Sequence, residues 1–218
     1  MAVVFDAASS ATNSLVTLTY SHTVTTAANR LLIVTMHESD SQVAIVSATY
    51  AGVAMTALLA QNTSTVARTE LWYLIAPATG ANDVVVVYAD IFGHSSGAAS
   101  FSGVNQTTPI GNTNTNSGQA TVISTVIASV VGNMVYDALG SHSNVTFTPG
   151  AGQTERFDIN GDNGSDSAGS TEPGAASVTM SWSDIVAGKF WAQVLVDIIA
   201  ALPTVSRQIQ RGLGSRYI

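Results

Sequence analysis

The sequence predicts an all-β protein, an antiparallel two-sheet sandwich of the jelly-roll type with long surface loops and an extended C-terminal arm. Only 10% of the 218 residues are charged, and Val, Ala, Ser, Thr and Gly fill most positions. This composition suits short strands joined by polar turns. No window of helical length carries apolar residues at i, i+3, i+4 and i+7 with Glu or Lys opposite, so helix should be scarce.

The individual strands follow from local patterns. Residues 30–36 form a continuous apolar run, as expected for a strand buried on both faces. Residues 177–182 alternate apolar and polar side chains, which indicates a half-buried edge or surface strand. Further strands are expected at residues 14–20, 98–104, 120–129, 133–139, 144–148 and 189–199.

Two hairpins are predicted. The first joins residues 43–50 and 53–59 through Ala51-Gly52. The second joins residues 67–75 and 83–88 and has the strongest local signal, because a Pro and Gly turn separates two strand-like segments, the second almost entirely β-branched.

The chain is expected to form one domain over residues 1–203, with residues 204–218 as the arm, and no tandem repeat is evident. A single sandwich of this length is common. Residues 106–120 and 160–176 are polar and rich in Gly, Asn, Ser and Thr. Both are expected to be long surface loops, where sandwiches usually carry their specificity.

The charge distribution restricts the partners. The formal net charge is −7, and the arm holds three of the seven basic residues, so the body is more acidic than the whole chain. Such a body repels phosphate backbones, which disfavours nucleic acid as a partner. The start lacks the pattern of a signal peptide, and no apolar run is long enough to span a membrane, so neither export by that route nor membrane insertion is expected.

The basic arm is a candidate partner-binding segment. It ends in an apolar pair after its spaced arginines, and extended it could lie on the acidic body of a neighbouring copy. The alternative is a frayed tail. The predicted contact residues are Arg207, Arg211, Arg216, Tyr217 and Ile218.

One acidic segment is a candidate Ca²⁺ site. Its oxygen-bearing residues alternate with Gly, as in the first positions of a calcium loop. The twelfth position is Gly169, where that loop requires a bidentate Glu, so a solvated acidic loop is the alternative. The predicted ligands are Asp158, Asn160, Asp162 and Asp166, and no other cofactor is expected.

Two further patterns could indicate catalytic or metal sites. The segment from Gly93 through Ser95 to Gly97 matches the G-x-S-x-G nucleophile elbow, but a strand-like segment follows where the elbow needs a helix. We therefore favour a Gly/Ser hairpin turn, predict no catalytic residue and expect no enzyme. The segment His37-Glu38-Ser39-Asp40 could be half of a metal or acid–base site, although a polar strand end entering a turn is the interpretation we favour.

Aromatic residues raise a further alternative, a platform on which sugars could stack. Aromatic side chains in strand patterns belong to the core more often than to such a platform. The residues concerned are Trp72, Tyr73, Trp182, Phe190 and Trp191.

Four segments, residues 49–56, 70–74, 77–80 and 100–109, resemble a group of uncharacterised β-rich proteins found in phage and environmental sequences. The likeness covers about the middle third of the chain and brings no catalytic motif with it. Virion decoration and fibre proteins are similar to this group in composition, being free of Cys and rich in Ser, Thr and Gly. The resemblance implies a structural role outside the cell, reached by assembly and lysis.

These observations together predict a virion structural protein, a capsid decoration or cement subunit at the virion surface that stabilises the particle through protein contacts. Expected partners are further copies of the chain, a trimer being one option, and the major capsid protein or other virion proteins. A glycan-binding adhesive module is the main alternative, and a serine hydrolase centred on Ser95 is the third.

Overall fold

The structure, a computed structural model, describes residues 1–39, 43–63, 67–161 and 164–203. The described residues form an all-β fold with no α-helix, as predicted. They include no helical segment of the length and apolarity needed to cross a membrane. The strands are β1 (Val4–Asn13), β2 (Thr17–Val24), β3 (Leu31–Ser39), β4 (Ser47–Tyr50), β5 (Val53–Ala54), β6 (Thr56–Thr63), β7 (Ala67–Ile75), β8 (Gly80–Val87), β9 (His94–Ser102), β10 (Ile110–Gly118), β11 (Ile123–Ile127), β12 (Met134–Ser141), β13 (Thr148–Pro149), β14 (Thr154–Ile159), β15 (Asp166–Pro173), β16 (Val178–Ser183) and β17 (Trp191–Ile198).

The strands form four antiparallel sheets, two in each half of the chain. The first half has an inner sheet of order β1-β9-β3-β7-β6 and an outer sheet of order β2-β8-β4-β5. The second half has an inner sheet of order β10-β17-β12-β15-β14 and an outer sheet of order β11-β16-β13. The antiparallel sandwich is therefore confirmed, with two sandwiches stacked where a single pair of sheets was expected.

The four sheets pack in the order outer, inner, inner, outer. In β3, Leu31 and Ile33 join a core shared with the inner sheet of the second half. Leu32 and Val34, on the opposite face, join the core beneath the first outer sheet. Because the inner strands are covered on both faces, every residue of β3, β12 and β17 is buried except Met134, at the start of β12. Burying a side chain of Leu or Ile size stabilises the fold by about 1.5–3 kcal/mol.

The two halves have the same topology. Reading β10 to β17 in place of β1 to β4 and β6 to β9 reproduces the strand order of both sheets, and among the described strands only the short β5 lacks a counterpart. Local sequence agrees, since Tyr88-Ala-Asp90-Ile after β8 corresponds to Trp182-Ser-Asp184-Ile at the end of β16. The structure thus shows an internal structural repeat that the sequence analysis did not detect.

Contacts between the halves are reciprocal. Strand β1 contacts β14, and its counterpart β10 contacts β6, the counterpart of β14. At one end Phe101, opposite Leu31, packs edge-on against Tyr136 near the start of β12. At the other end His37 lies against Gly140 near the end of β12. This pattern is that of two halves related by an approximate twofold axis along the strands.

One predicted pairing is confirmed in part. Residues 47–50 and 53–54 form the hairpin around Ala51-Gly52, whereas residues 56–59 belong to β6, which pairs with β7 in the inner sheet. Strand β16 alternates buried and less buried residues as predicted, but it is the middle strand of its sheet and not an edge.

Other local predictions were wrong. Strands β7 and β8 are not a hairpin, because β7 pairs with β3 and β6 in the inner sheet, whereas β8 pairs with β2 and β4 in the outer sheet. The polar stretches 106–120 and 160–176 are not simply loops, since they contain β10 and β15. The small residues of β15 allow tight packing between sheets. The same composition is typical of loops, which explains the wrong prediction.

Phe157 of β14 explains one such small-residue requirement. Its ring packs on Gly97 of the first inner sheet and on Gly169 of the neighbouring strand. A Cβ atom added at Gly97 would lie 2.2 Å from Cζ of Phe157, and one at Gly169 would lie 2.5 Å from Cε1. The two halves can approach this closely only because these positions lack side chains.

We expect Gly97→Ala to destabilise the protein by about 1–3 kcal/mol, because the added methyl group overpacks the contact between the halves. Phe157→Leu in the Gly97→Ala background should restore part of the loss by removing ring atoms. Urea unfolding of the two single variants and the double variant measures the coupling. Strictly additive effects would contradict the contact.

Candidate binding site at the loop end

Because β3 and β12 run in the same direction, the loops that follow them lie at the same end of the molecule, together with the other loops at that edge of each sandwich. We call this the loop end. It is formed by residues 14–16, 43–46, 88–93, 119–122, 142–147, 160–161 and 184–190 within the described chain.

A buried carboxylate and histidine cluster lies at the loop end of the first half. Glu38 in β3 and His94 in β9 are cross-strand partners, and both are fully buried. Asp90, in the loop before β9, completes the cluster. One carboxylate oxygen of each acid and one ring nitrogen of His94 all lie within 4.8 Å of one another. Within the described chain these are the only three such residues grouped closely enough to hold a metal ion.

His94 is held in a fixed orientation. Its ring stacks on Tyr88, with centroids 3.8 Å apart and planes 7° from parallel. Its Nε2 lies 3.2 Å from the Asp90 carbonyl oxygen and 3.8 Å from Asp90 Oδ1. Burial lowers the pKa of His94, so the neutral imidazole, the form that binds metals, is favoured. Nδ1 has no hydrogen-bond partner among the described residues.

Glu70, nearby in the same sandwich, has a structural role. Its carboxylate accepts hydrogen bonds from Arg68 Nε at 2.6 Å, Trp72 Nε1 at 2.8 Å and the Ile45 amide at 2.9 Å. These contacts compensate its charge and tie β7 to the segment before β4.

Among its described residues, the second half has no equivalent cluster. Ser141 and Trp191 are cross-strand partners at the positions of Glu38 and His94. The buried acid there is Asp137, deeper in the core, which accepts hydrogen bonds from Ser170 Oγ at 2.5 Å, Trp182 Nε1 at 2.6 Å and Gln193 Nε2 at 2.7 Å. Burial nevertheless raises the pKa of Asp137 to about 6. With three donors in place, this carboxylate is part of the core structure.

The predicted Ca²⁺ ligands are spread over two strands and their connection. Asp166 begins β15 and accepts hydrogen bonds from the amides of Ser143, Val145 and Gly161. Asp158 in β14 accepts one from the Phe147 amide at 2.6 Å.

The remaining predicted ligands do not change this arrangement. Asn160 is exposed at the end of β14, and Asp162 lies outside the described residues. The described carboxylates thus organise the loops 142–147 and 160–161, and Ca²⁺ binding by this set stays a prediction.

The G-x-S-x-G segment does not form an elbow or the predicted turn. Residues 94–97 lie in β9, and Ser95 is fully buried beside its cross-strand partner His37. Ser165 Oγ lies 3.4 Å from Ser95 Oγ. Burial lowers the pKa of His37 to about 3, and its Nδ1 lies 3.0 Å from the Arg68 carbonyl oxygen. The motif therefore packs against the second half, where no substrate could reach it without opening the core.

The aromatic residues do not form an exposed platform. Trp182 and Trp191 are buried in the second-half core, and Trp72 packs on the first-half core with its indole N–H on Glu70. Tyr73 and Phe190 are only half-buried. The predicted partner-binding residues Arg207, Arg211, Arg216, Tyr217 and Ile218 lie outside the described residues, so the clasp stays a prediction.

Exposed apolar side chains lie at the same end of the first half as the buried cluster. Val16 and Val46 flank the end of β8, where their backbones bond to Tyr88 and Val87. Leu15 is 66% exposed, Ile91 69% and Phe92 47%. We call these five residues the apolar rim: Leu15, Val16, Val46, Ile91 and Phe92. The second half adds exposed Val122 and Val186 at the same end.

Part of this site is predictable from the sequence. The segment His37-Glu38-Ser39-Asp40 indicates Glu38 but not its partners, because Asp90 and His94 are more than 50 positions away and only strand pairing brings them together. In the sequence, His94 stands within the G-x-S-x-G segment and gives no separate signal. The apolar rim carried a weak signal, the Ile91-Phe92 pair between a turn acid and Gly93, which is unusual for a polar loop.

Comparison with protein-family models, with curated proteins and with solved structures finds no match for this chain.

Burial raises the pKa of Asp158 to about 6, with smaller contributions from Glu155 and Asp166. Between about pH 4 and pH 6 the folded state holds this proton and the unfolded state releases it, so this group makes stability fall as pH rises through that window. Asp158→Asn removes this contribution and keeps an oxygen for the Phe147 amide.

We expect the stability of Asp158→Asn relative to the original protein to increase between pH 4 and pH 7, measured by urea unfolding at both values. The exposed Asp184→Asn is the matched control for the loss of a carboxylate outside the core. Parallel profiles for Asp158→Asn and the original protein would contradict the buried charge.

Proposed function

We propose that this protein is a structural subunit of a virus particle, a decoration or cement protein that stabilises a protein shell by contact. The observation that carries the proposal is the apolar rim, a group of exposed aliphatic and aromatic side chains collected at one end of a rigid four-layer body. Contiguous apolar groups surrounded by polar surface are typical of protein-binding sites. Aromatic and large aliphatic residues also form the centre of most such interfaces.

The rest of the fold supports a scaffold role. The inner strands are covered on both faces, so a partner can bind the surface while the hydrophobic core stays buried. The loops on which the rim lies are fixed by backbone hydrogen bonds to β8 and by the stacked pair of Tyr88 and His94. Pre-organised loops lose little conformational entropy on binding, which favours a lasting contact.

The chemistry favours a protein as the partner. The net charge of −7 opposes contact with phosphate backbones, and the aromatic residues that could stack sugars are buried or half-buried. Each Å² of apolar surface buried on binding would contribute about 25 cal/mol of favourable free energy. The shell gains stability by mass action, because the subunit binds the assembled state better than the dissociated one.

We expect the double variant Ile91→Ser, Phe92→Ser to lose binding to particles purified from the same source, because it removes the largest apolar side chains of the rim. Co-sedimentation of the purified protein with those particles measures this. Val131→Ser is the matched control, since Val131 is 91% exposed in the β11–β12 connection at the opposite end. Binding retained by the rim variant, or no binding by the original protein, would overturn the proposal.

A second variant tests the basic arm. Deletion of residues 204–218 is expected to abolish incorporation into particles and any self-association seen by sedimentation velocity, because the arm would then no longer clasp a neighbour. Thermal unfolding should remain cooperative, since the described cores end at Ala201. Unchanged incorporation would exclude the arm as the clasp while leaving the rim as the contact surface.

A further inference from the structure

We propose that Glu38, Asp90 and His94 bind one divalent transition-metal ion, of which Zn²⁺ is the best fit. This site is separate from the predicted Ca²⁺ loop and does not depend on the proposed structural role. Two carboxylates and one imidazole are a ligand set that Zn²⁺ uses in proteins, with water completing the coordination. Ca²⁺ fits poorly, since it prefers six to eight oxygen ligands.

The distances are suitable. Ligands arranged tetrahedrally around Zn²⁺ at about 2.1 Å lie about 3.4 Å from one another. The three donor atoms lie within 4.8 Å, and Asp90 Oδ1 is 3.8 Å from His94 Nε2. Closing the remaining gap requires a movement of about 1 Å, on the scale of a side-chain adjustment. Asp90 can supply it, because it lies in a loop between two strands and its side chain is 22% exposed.

The histidine is suited to the role. Stacking on Tyr88 fixes the plane of the His94 ring, and its two nitrogens have different surroundings. Nε2 faces the Asp90 backbone and carboxylate, and Nδ1 is buried without a hydrogen-bond partner among the described residues. Nε2–H donates to the Asp90 carbonyl oxygen, so a metal ion bound at Nε2 would replace that proton, and the proton would move to Nδ1.

The cluster is also accessible from one side. Glu38 and His94 are fully buried, whereas Asp90 reaches the surface beside Ile91. An ion can therefore reach the cluster past Asp90. Once bound, it would connect the end of β3, the start of β9 and the loop between β8 and β9.

The internal repeat supports a specific site. Asp184 lies two residues after Trp182, just as Asp90 lies two residues after Tyr88. The cross-strand pair that corresponds to Glu38 and His94, however, is Ser141 and Trp191. The second half therefore has a carboxylate at the corresponding loop position without the two other ligands. Asp184 can serve as the control residue for Asp90.

The test is calorimetric titration of chelator-treated, full-length protein with ZnCl₂, together with thermal unfolding with and without the metal. We expect one Zn²⁺ per chain and a higher Tm in its presence, because an ion that binds only the folded state stabilises it. Asp90→Asn and His94→Gln should each weaken Zn²⁺ binding by at least about tenfold. Asp184→Asn should bind Zn²⁺ as the original protein does.

Asp90→Asn is the decisive variant because its amide oxygen can still accept the Phe92 N–H, so folding should be unaffected. Unfolding without metal checks this directly, and Glu38→Gln, whose fold is at greater risk, is secondary. In a parallel titration with CaCl₂, the original protein and Asp90→Asn should behave alike. Absence of Zn²⁺ binding by the original protein would overturn the proposal. So would Zn²⁺ binding by Asp90→Asn and His94→Gln that is as tight as that of the original protein.

Discussion

The structure depends on the face-to-face packing of two five-stranded inner sheets, which leaves β3, β9, β12, β15 and β17 almost without solvent-facing residues. Apolar, small or hydrogen-bonded side chains are strongly favoured in such strands. The low charge of the chain agrees with this preference, since few positions remain where a charged side chain stays hydrated. Three of the buried acids follow it, since Glu70, Asp137 and Asp166 each accept three hydrogen bonds.

The two halves share topology but differ in what their cores hold at the loop end. The first half places Glu38 and His94 where the second places Ser141 and Trp191. The second half uses its aromatic residues to close its core, whereas the first keeps a polar cluster and exposes Ile91 and Phe92 in the loop before β9. The internal repeat therefore has one chemically distinct half.

Much of the local structure was predictable because strand periodicity is a local property. The run in β3 and the alternation in β16 were correctly interpreted, and so was the turn at Ala51-Gly52. Polarity misled the prediction for β10, an edge strand of Asn and Thr, and for β15, whose Ser, Ala and Gly are small because Phe157 and the facing sheet leave no room. The hairpin of residues 67–75 and 83–88 failed because adjacent strands in the chain enter different sheets.

Composition and a two-residue period suffice to predict the all-β class, antiparallel strands and the scarcity of ionic chemistry. The stacking of two sandwiches, the repeated topology and the meeting of Glu38, Asp90 and His94 arise only in the folded protein. Which strands become neighbours depends on how whole sheets bury their faces, and that free energy is summed over residues far apart in the chain.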